Sequence, residues 1–174
     1  MLELILGGAR SGKSRLAEER ALMSNLEVVY IATSQPQDTE MAERVAHHRA
    51  RRPVTWGLVE EPLALAAVLQ REAHSRRVLL VDCLTLWLTN LLLADEGKYL
   101  KREIKALLEA LPRLPGQVLL VSNETGMGVV PLGELTRRYV DEAGRLHQVL
   151  AGLSDRVTLC VAGLPMTLKG ERDE

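Results

Sequence analysis

The segment Gly7–Ser14, with the sequence GGARSGKS, constrains this chain more than any other, because it satisfies the pattern G-x-x-x-x-G-K-[ST]. This pattern predicts a phosphate-binding loop when a strand precedes it and a helix follows it. Here the apolar run Leu2–Leu6 precedes it, and the helix-length segment Ser14–Met23 follows it. In such a loop, backbone N–H groups and the helix N-terminus bind phosphate oxygens. We therefore predict a nucleotide-dependent protein.

The loop assigns roles to three side chains. Lys13 is expected to reach the β- and γ-phosphates, and Ser14 to bind Mg²⁺. A second magnesium ligand is expected at the end of a buried strand, where Asp82 closes the run RVLLVD. An aspartate in this place is also a common helix cap, so both interpretations of Asp82 remain open.

Apolar runs of strand length alternate with segments of helix length along the chain, which predicts one α/β domain over residues 1–174. The runs are continuous rather than alternating, as in parallel strands buried on both faces. The predicted strands are Leu2–Leu6, Val28–Thr33, Val78–Asp82, Gln117–Ser122 and Arg156–Gly163. The predicted helices are Ser14–Met23, Asp38–Arg51, Leu63–His74, Leu84–Leu111 with a break near Gly97, and Leu132–Leu153.

Composition excludes several classes of protein. A net charge of −1 and a pI of about 6.4 argue against a general nucleic-acid binder, whose domain is usually strongly basic. The two cysteines have neither metal-site nor disulfide spacing, which favours the reducing cytoplasm. The apolar run CLTLWLTNLLLA is too short to span a membrane, and the N-terminal apolar stretch, with Glu3, is not a signal peptide.

The segment AHHRARRP, residues 46–53, holds two of the four histidines. A metal site, a basic patch, a solvated helix face and a nucleophile beside a phosphate clamp are its possible roles. On a helix over Asp38–Arg51, His48 shares a stripe with apolar residues, whereas His47 lies on the other side. Adjacent histidines diverge on a helix, so zinc is disfavoured. A neutral imidazole can attack phosphorus, and neighbouring arginines would neutralise the leaving pyrophosphate.

Taken together, the segments GGARSGKS, YIATSQ, MAERVAHHRARRP, VDCLTLWLTNLL, NETGMGVVP and VAGLPMTLK resemble the bifunctional adenosylcobinamide kinase / adenosylcobinamide-phosphate guanylyltransferase family of cobalamin biosynthesis. The resemblance covers the full length and implies a RecA-like P-loop fold and a homotrimer. It also implies two reactions: a nucleoside triphosphate phosphorylates adenosylcobinamide, and GMP then passes from GTP to that phosphate through a covalent GMP-histidine. ATP and GTP both remain candidates for the first step.

The resemblance also implies the site. His47 would carry the GMP, Lys13 would act in catalysis, and Ser14 and Asp82 would hold Mg²⁺. The nucleotide-binding positions are Gly7, Gly8, Ala9, Arg10, Ser11, Gly12, Lys13, Ser14, Ala32, Thr33, Ser34, His48, Arg49, Ala50, Arg51, Glu60 and Asp82. The segment Asn123–Pro131 is expected to be a site loop. The corrinoid-binding residues cannot be read from the sequence. A kinase with one activity and a non-enzymatic GTP-binding module are the alternatives.

Overall fold

The computed structural model describes residues 1–34 and 53–171. Its strands are β1 (Leu2–Gly7), β2 (Glu27–Ala32), β3 (Gly57–Glu60), β4 (Arg77–Asp82), β5 (Gln117–Asn123), β6 (Arg156–Val161) and β7 (Leu164–Lys169). Its α-helices are α1 (Lys13–Met23), α2 (Leu65–Glu72), α3 (Leu84–Leu93), α4 (Leu100–Ala110) and α5 (Glu134–Leu153). Short 3₁₀ turns cover Ala94–Gly97 and Leu111–Arg113.

The described strands form one seven-stranded sheet in the order β3-β2-β4-β5-β1-β6-β7. Every pairing is parallel except that of β6 with β7, which is antiparallel. A mostly parallel sheet is therefore confirmed, and the five predicted strands all occur. The prediction missed β3 and β7, and it extended the last strand too far. That strand ends at Val161 because Ala162 and Gly163, with φ of 53° and 82°, make the turn into β7.

The helices cover both faces of the sheet, as predicted. On one face, Ala17 and Ala21 of α1 pack against Ile5 and Val121. On the other face, α2 to α5 enclose a larger aliphatic cluster around Trp87, which is fully buried. Because successive strand residues face opposite clusters, the strands are apolar on both sides and their sequences read as continuous apolar runs.

The predicted break in the long helical segment is confirmed. Helix α3 ends at Leu93, and α4 begins at Leu100. Between them Asp95, Glu96 and Gly97 all have positive φ, which no continuous α-helix allows. The prediction was too long for α2 by two residues at each end, and α5 begins at Glu134 rather than Leu132.

The predicted helix Asp38–Arg51 lies outside the described residues. Within residues 1–34 and 53–171, no helix combines the length and apolarity that a membrane crossing requires.

The arrangement of the strands locates the site. Strands β1, β2, β3, β4 and β5 run in the same direction, so their carboxyl ends meet at one edge of the sheet. Open parallel sheets bind ligands at this edge. The predicted phosphate loop follows β1 there, and the predicted carboxylates Glu60 and Asp82 end β3 and β4.

Candidate nucleotide-binding site

The loop between β1 and α1 has the backbone that phosphate binding requires. A Cβ on Gly7 would lie 2.3 Å from the Ser11 Oγ and 2.7 Å from the Cys160 carbonyl oxygen, so only glycine fits there. Gly12 has a φ of 94°, and a Cβ on it would lie 3.2 Å from the Cα of Gly163. The two glycines thus let the chain turn tightly from β1 into the N-terminus of α1, whose first N–H groups have no partner within the helix.

Lys13 lies across this loop. Its Nζ donates a hydrogen bond to the Gly8 carbonyl oxygen at 3.0 Å, and the residue is only 9% exposed. The ammonium group is therefore held at the loop. Ser14, in the first turn of α1, is half-buried, and its neighbours Gly8, Ala9 and Arg10 are exposed on the loop surface. Both residues thus lie at the loop, and their roles toward phosphate and metal stay predictions.

The turn between β6 and β7 supports the loop from the side. The Gly163 N–H donates to the Ser11 carbonyl oxygen at 2.9 Å. Since Gly163 also contacts Gly12, the hairpin holds two successive residues of the phosphate loop. The sequence VAGLP therefore makes a tight turn against the loop.

Asp82 stands at the end of β4 and is half-buried. It does not cap the next helix: the N-cap of α3 is Cys83, and among the described residues no side chain caps that helix. The helix-cap interpretation of Asp82 is therefore wrong. The carboxylate is left at the edge of the sheet where nucleotide phosphates and a metal ion would lie, and it carries an oxygen donor of the kind that Mg²⁺ prefers.

Thr33 fixes the turn that carries Asp82. Its hydroxyl donates to the Cys83 carbonyl oxygen at 2.7 Å and accepts from the Cys83 N–H at 3.0 Å. Thr33 is fully buried, so its hydroxyl stabilises this turn and is not exposed at the surface. A second polar side chain, Asn90, donates to the Thr33 carbonyl oxygen at 2.8 Å.

The remaining described candidates lie in one row. Ala32, at the end of β2, pairs with Asp82 on one side and with Glu60 on the other. Ala32 is buried, Ser34 is half-buried and Glu60 is exposed. The structure thus brings Ala32, Ser34, Glu60 and Asp82 to the same sheet edge as the phosphate loop. The candidates His47, His48, Arg49, Ala50 and Arg51 lie outside the described residues.

The segment after β5 begins at the phosphate loop. The Glu124 N–H donates to the Gly7 carbonyl oxygen at 3.1 Å, and the Asn123 N–H donates to the Thr85 hydroxyl at 2.7 Å. The Glu124 carboxylate accepts from the Gly126 N–H at 2.6 Å. Beyond it the loop presents exposed aliphatic side chains, namely Met127, Val129, Val130 and Leu132.

Behind this segment lies a buried polar pair that the sequence did not reveal. The Ser122 Oγ and the His147 Nε2 are 2.8 Å apart, and both residues are buried. Burial lowers the pKa of His147, although Glu124 partly opposes the effect. The sequence signal was weak, because His147 lies on the apolar face of α5 between Ala143 and Leu150, where a histidine suggests only packing.

Two cysteines flank the site without taking part as thiolates. Within the described part of the chain both Cys83 and Cys160 are free and buried. Burial raises the pKa of Cys83 to about 11, with Asp82 adding to the effect, and burial also raises the pKa of Cys160. Both side chains are thus neutral thiols at physiological pH, which argues against a cysteine nucleophile.

Comparisons with known proteins match this chain over nearly its whole length. The family model described as cobinamide kinase / cobinamide phosphate guanyltransferase matches residues 3–168. The bifunctional adenosylcobalamin biosynthesis protein CobP of Pseudomonas aeruginosa is 67% identical over 98% of this chain and 99% of that protein. The corresponding Escherichia coli protein, CobU, is 41% identical over 97% of this chain and 100% of its own. The crystal structure of the RadB recombinase shares the fold, with a TM-score of 0.51 at 17% identity, covering 91% of this chain and 73% of that one.

Proposed function

This chain belongs to the cobinamide kinase / cobinamide phosphate guanyltransferase family, and we propose that its one described phosphate loop serves both reactions in that description. The protein is a transferase of cobalamin biosynthesis. It phosphorylates adenosylcobinamide with a nucleoside triphosphate. It then transfers GMP from GTP to the product, giving adenosylcobinamide-GDP and pyrophosphate.

The observation that carries this proposal is the loop Gly7–Ser14 with Lys13 held across it. In the kinase step, the loop N–H groups and Lys13 bind the β- and γ-phosphates and offset the charge that develops on them. The substrate hydroxyl then attacks the γ-phosphorus, and the nucleoside diphosphate leaves. This step needs a positioned hydroxyl and no covalent intermediate.

Mg²⁺ fits the oxygen donors at this edge of the sheet. The Ser14 hydroxyl and the Asp82 carboxylate would hold it together with phosphate oxygens and water, as this ion commonly binds. When bound, the ion supplies positive charge to the phosphates. The support for this proposal is the position of Asp82 at the end of β4, with no role as a helix cap.

The Asp82→Asn substitution tests the metal proposal. We expect the Mg²⁺ concentration for half-maximal kinase activity to rise at least about tenfold, because an amide removes the negative charge but keeps the side-chain volume. Titration of activity with MgCl₂ at fixed nucleotide measures it. An unchanged titration curve would show that Asp82 does not hold the ion.

For the second reaction we propose His47 as the nucleophile. A ring nitrogen attacks the α-phosphorus of GTP, so that an N–P bond forms, the bond to the β-phosphate oxygen breaks and pyrophosphate leaves. A phosphate oxygen of adenosylcobinamide phosphate then attacks the same phosphorus and releases His47. The neighbouring Arg49 and Arg51 would neutralise the departing charge. The support is the motif HHRARRP itself, in a chain 67% identical to a bifunctional relative.

Product analysis tests the whole proposal. The purified protein is incubated with adenosylcobinamide and ATP or GTP. The corrinoids are then separated by chromatography and identified by mass spectrometry. We expect adenosylcobinamide phosphate with either triphosphate that the kinase step accepts, and adenosylcobinamide-GDP only when GTP is present. Nucleotide binding without any phosphorylated corrinoid would favour the non-enzymatic alternative. Phosphate product alone, in the presence of GTP, would favour the kinase with one activity.

We also propose an oligomeric state, a cellular compartment and a class of substrate for this protein. The resemblance implies a homotrimer, and the exposed aliphatic side chains Val161, Leu164, Met166 and Leu168 on the β6–β7 hairpin are consistent with a contact between copies. Analytical ultracentrifugation of the purified protein measures its oligomeric state. The free cysteines agree with a reducing cytoplasm. The near-neutral net charge of −1 agrees with small-molecule substrates rather than nucleic acid.

A further inference from the structure

Glu124 follows β5, one of the two strands that flank the strand leading into the phosphate loop. Strand β5 lies between β4, which carries Asp82, and β1, which leads into the loop. Because the Glu124 N–H bonds to the Gly7 carbonyl oxygen, the residue lies against the start of that loop. A side chain at the end of β5 therefore stands between the proposed magnesium ligand and the bound phosphates.

Glu124 lies closer to β1 than the other carboxylates at strand ends do. Neighbouring strands lie about 4.8 Å apart. Glu60, on β3, is four strands from β1, which amounts to about 19 Å. Asp82, on β4, is two strands away, or about 10 Å, whereas Glu124 follows the adjacent strand. Of these three carboxylates, Glu124 lies nearest to the strand that leads into the phosphate loop.

The Glu124 carboxylate accepts a hydrogen bond on one side, faces His147 on a second and is partly exposed on a third. One oxygen, Oε1, accepts the Gly126 N–H at 2.6 Å. The other, Oε2, lies 3.7 Å from the His147 Nδ1. The side chain is 21% exposed, so that a substrate group can approach it. A carboxylate oriented in this way keeps free lone pairs for one incoming hydrogen bond.

His147 faces this carboxylate as a neutral ring. Its Nε2 lies 2.8 Å from the Ser122 Oγ, deep in the protein. Burial lowers the pKa of His147, which keeps the ring uncharged. The carboxylate is only an acceptor, so the matching tautomer carries its proton on Nδ1 and accepts the Ser122 hydroxyl at Nε2. The ring then directs a donor towards Glu124 without supplying a charge.

We propose that Glu124 is the catalytic residue that binds the substrate hydroxyl of the kinase step and accepts its proton, and that His147 is its positioning residue. The inference rests on the proposed function. As the hydroxyl oxygen forms its bond to the γ-phosphorus, the bond from that phosphorus to the β-phosphate oxygen breaks, and the nucleoside diphosphate leaves with the electron pair. The hydroxyl proton moves to the Glu124 carboxylate and from there to water.

The two reactions differ in their need for this group. The acceptor of the kinase step is an alcohol, which must lose a proton. The acceptor of GMP transfer is a phosphate monoester, which is already an anion and has an oxygen free to attack. Loss of the base should therefore slow the first reaction and spare the second.

The test compares Glu124→Gln with Glu134→Gln, a matched change at an exposed glutamate in the first turn of α5. Each variant is assayed for phosphorylation of adenosylcobinamide and, separately, for GMP transfer to supplied adenosylcobinamide phosphate. For Glu124→Gln we expect the kinase kcat to fall about 10²- to 10⁴-fold, with the KM for the nucleotide within about threefold of wild type and GMP transfer nearly unchanged. Glu134→Gln should match wild type in both.

The positioning role has its own readout. His147→Asn should lower the kinase kcat about tenfold with little change in KM, and it should add nothing in a chain that already carries Glu124→Gln. A merely structural histidine would lower the melting temperature and both activities, and its effect would add to that of Glu124→Gln. Because His147 is buried, Ser122→Ala serves as a second variant that acts on the same ring.

The outcomes separate this inference from the proposed function. A kinase kcat within about threefold of wild type in Glu124→Gln would overturn the role of Glu124. An equal loss of both activities would also overturn it, because that pattern indicates a shared or structural role. Absence of corrinoid phosphorylation by the wild-type protein would instead overturn the proposed function itself.

Discussion

Replacing Lys13 by alanine is expected to reduce both activities about 10²- to 10³-fold, the range found when one preorganised charge donor is removed from an active site. The Lys13 Nζ lies against the Gly8 carbonyl oxygen and is almost fully buried, so no solvent cation can take its place easily. Since the described chain holds one phosphate loop, the triphosphates of both reactions would lose the same contact.

The kinetic pattern of Lys13→Ala follows from where the charge develops. The β–γ bridging oxygen gains charge as the kinase step proceeds, so kcat should fall more than nucleotide affinity. Steady-state assays of both reactions measure this, and circular dichroism checks that the fold persists. Lys105→Ala, at an exposed lysine of α4, is the control and should match wild type. Retention of GMP transfer in Lys13→Ala would mean that GTP binds elsewhere for the second reaction.

Replacing His47 by alanine is expected to abolish GMP transfer, with a loss of at least about 10³-fold, while phosphorylation of adenosylcobinamide stays within about threefold of wild type. Covalent transfer cannot proceed without its nucleophile, whereas the kinase step transfers the γ-phosphate directly to the substrate hydroxyl and does not use His47. The expected result is therefore accumulation of adenosylcobinamide phosphate in the presence of GTP.

The control for this variant is His74→Ala. His74 lies just before β4, at the sheet edge opposite the phosphate loop, and its Nδ1 accepts the Arg76 N–H at 3.3 Å. Removing it should leave both activities near wild type. If His47→Ala lost both activities equally, the histidine would serve nucleotide binding or the fold, and the covalent mechanism would lose its support.

The described part of the fold followed largely from local patterns. The phosphate loop was predictable because its glycines, lysine and serine meet a fixed backbone geometry, and β1, β2, β4 and β5 because strands buried on both faces read as unbroken apolar runs. Strand β3 was missed because it has four residues on the sheet edge and is mostly exposed. Strand β7 was missed because LPMTLK contains a proline and exposed positions that suggest a tail.

The site was predictable only where a motif fixes a side chain. The motif predicts a role for Lys13, but a pattern alone could not tell whether Asp82 caps a helix; the N-cap of α3 is Cys83, so Asp82 does not. The pair Ser122 and His147 could not be foreseen, because residues 25 positions apart meet only when α5 packs beside β5. The role of His47 stays a prediction.

The most direct test of this account is a search for covalent GMP on the protein. The wild-type chain is incubated with GTP labelled at the α-phosphate, separated from free nucleotide, and its peptides are analysed by mass spectrometry. We expect a stoichiometric label on His47 that is acid-labile and alkali-stable, as phosphoramidates are, and that is discharged by adenosylcobinamide phosphate. Formation of adenosylcobinamide-GDP with no covalent GMP on the protein, or with the label on another residue, would contradict it.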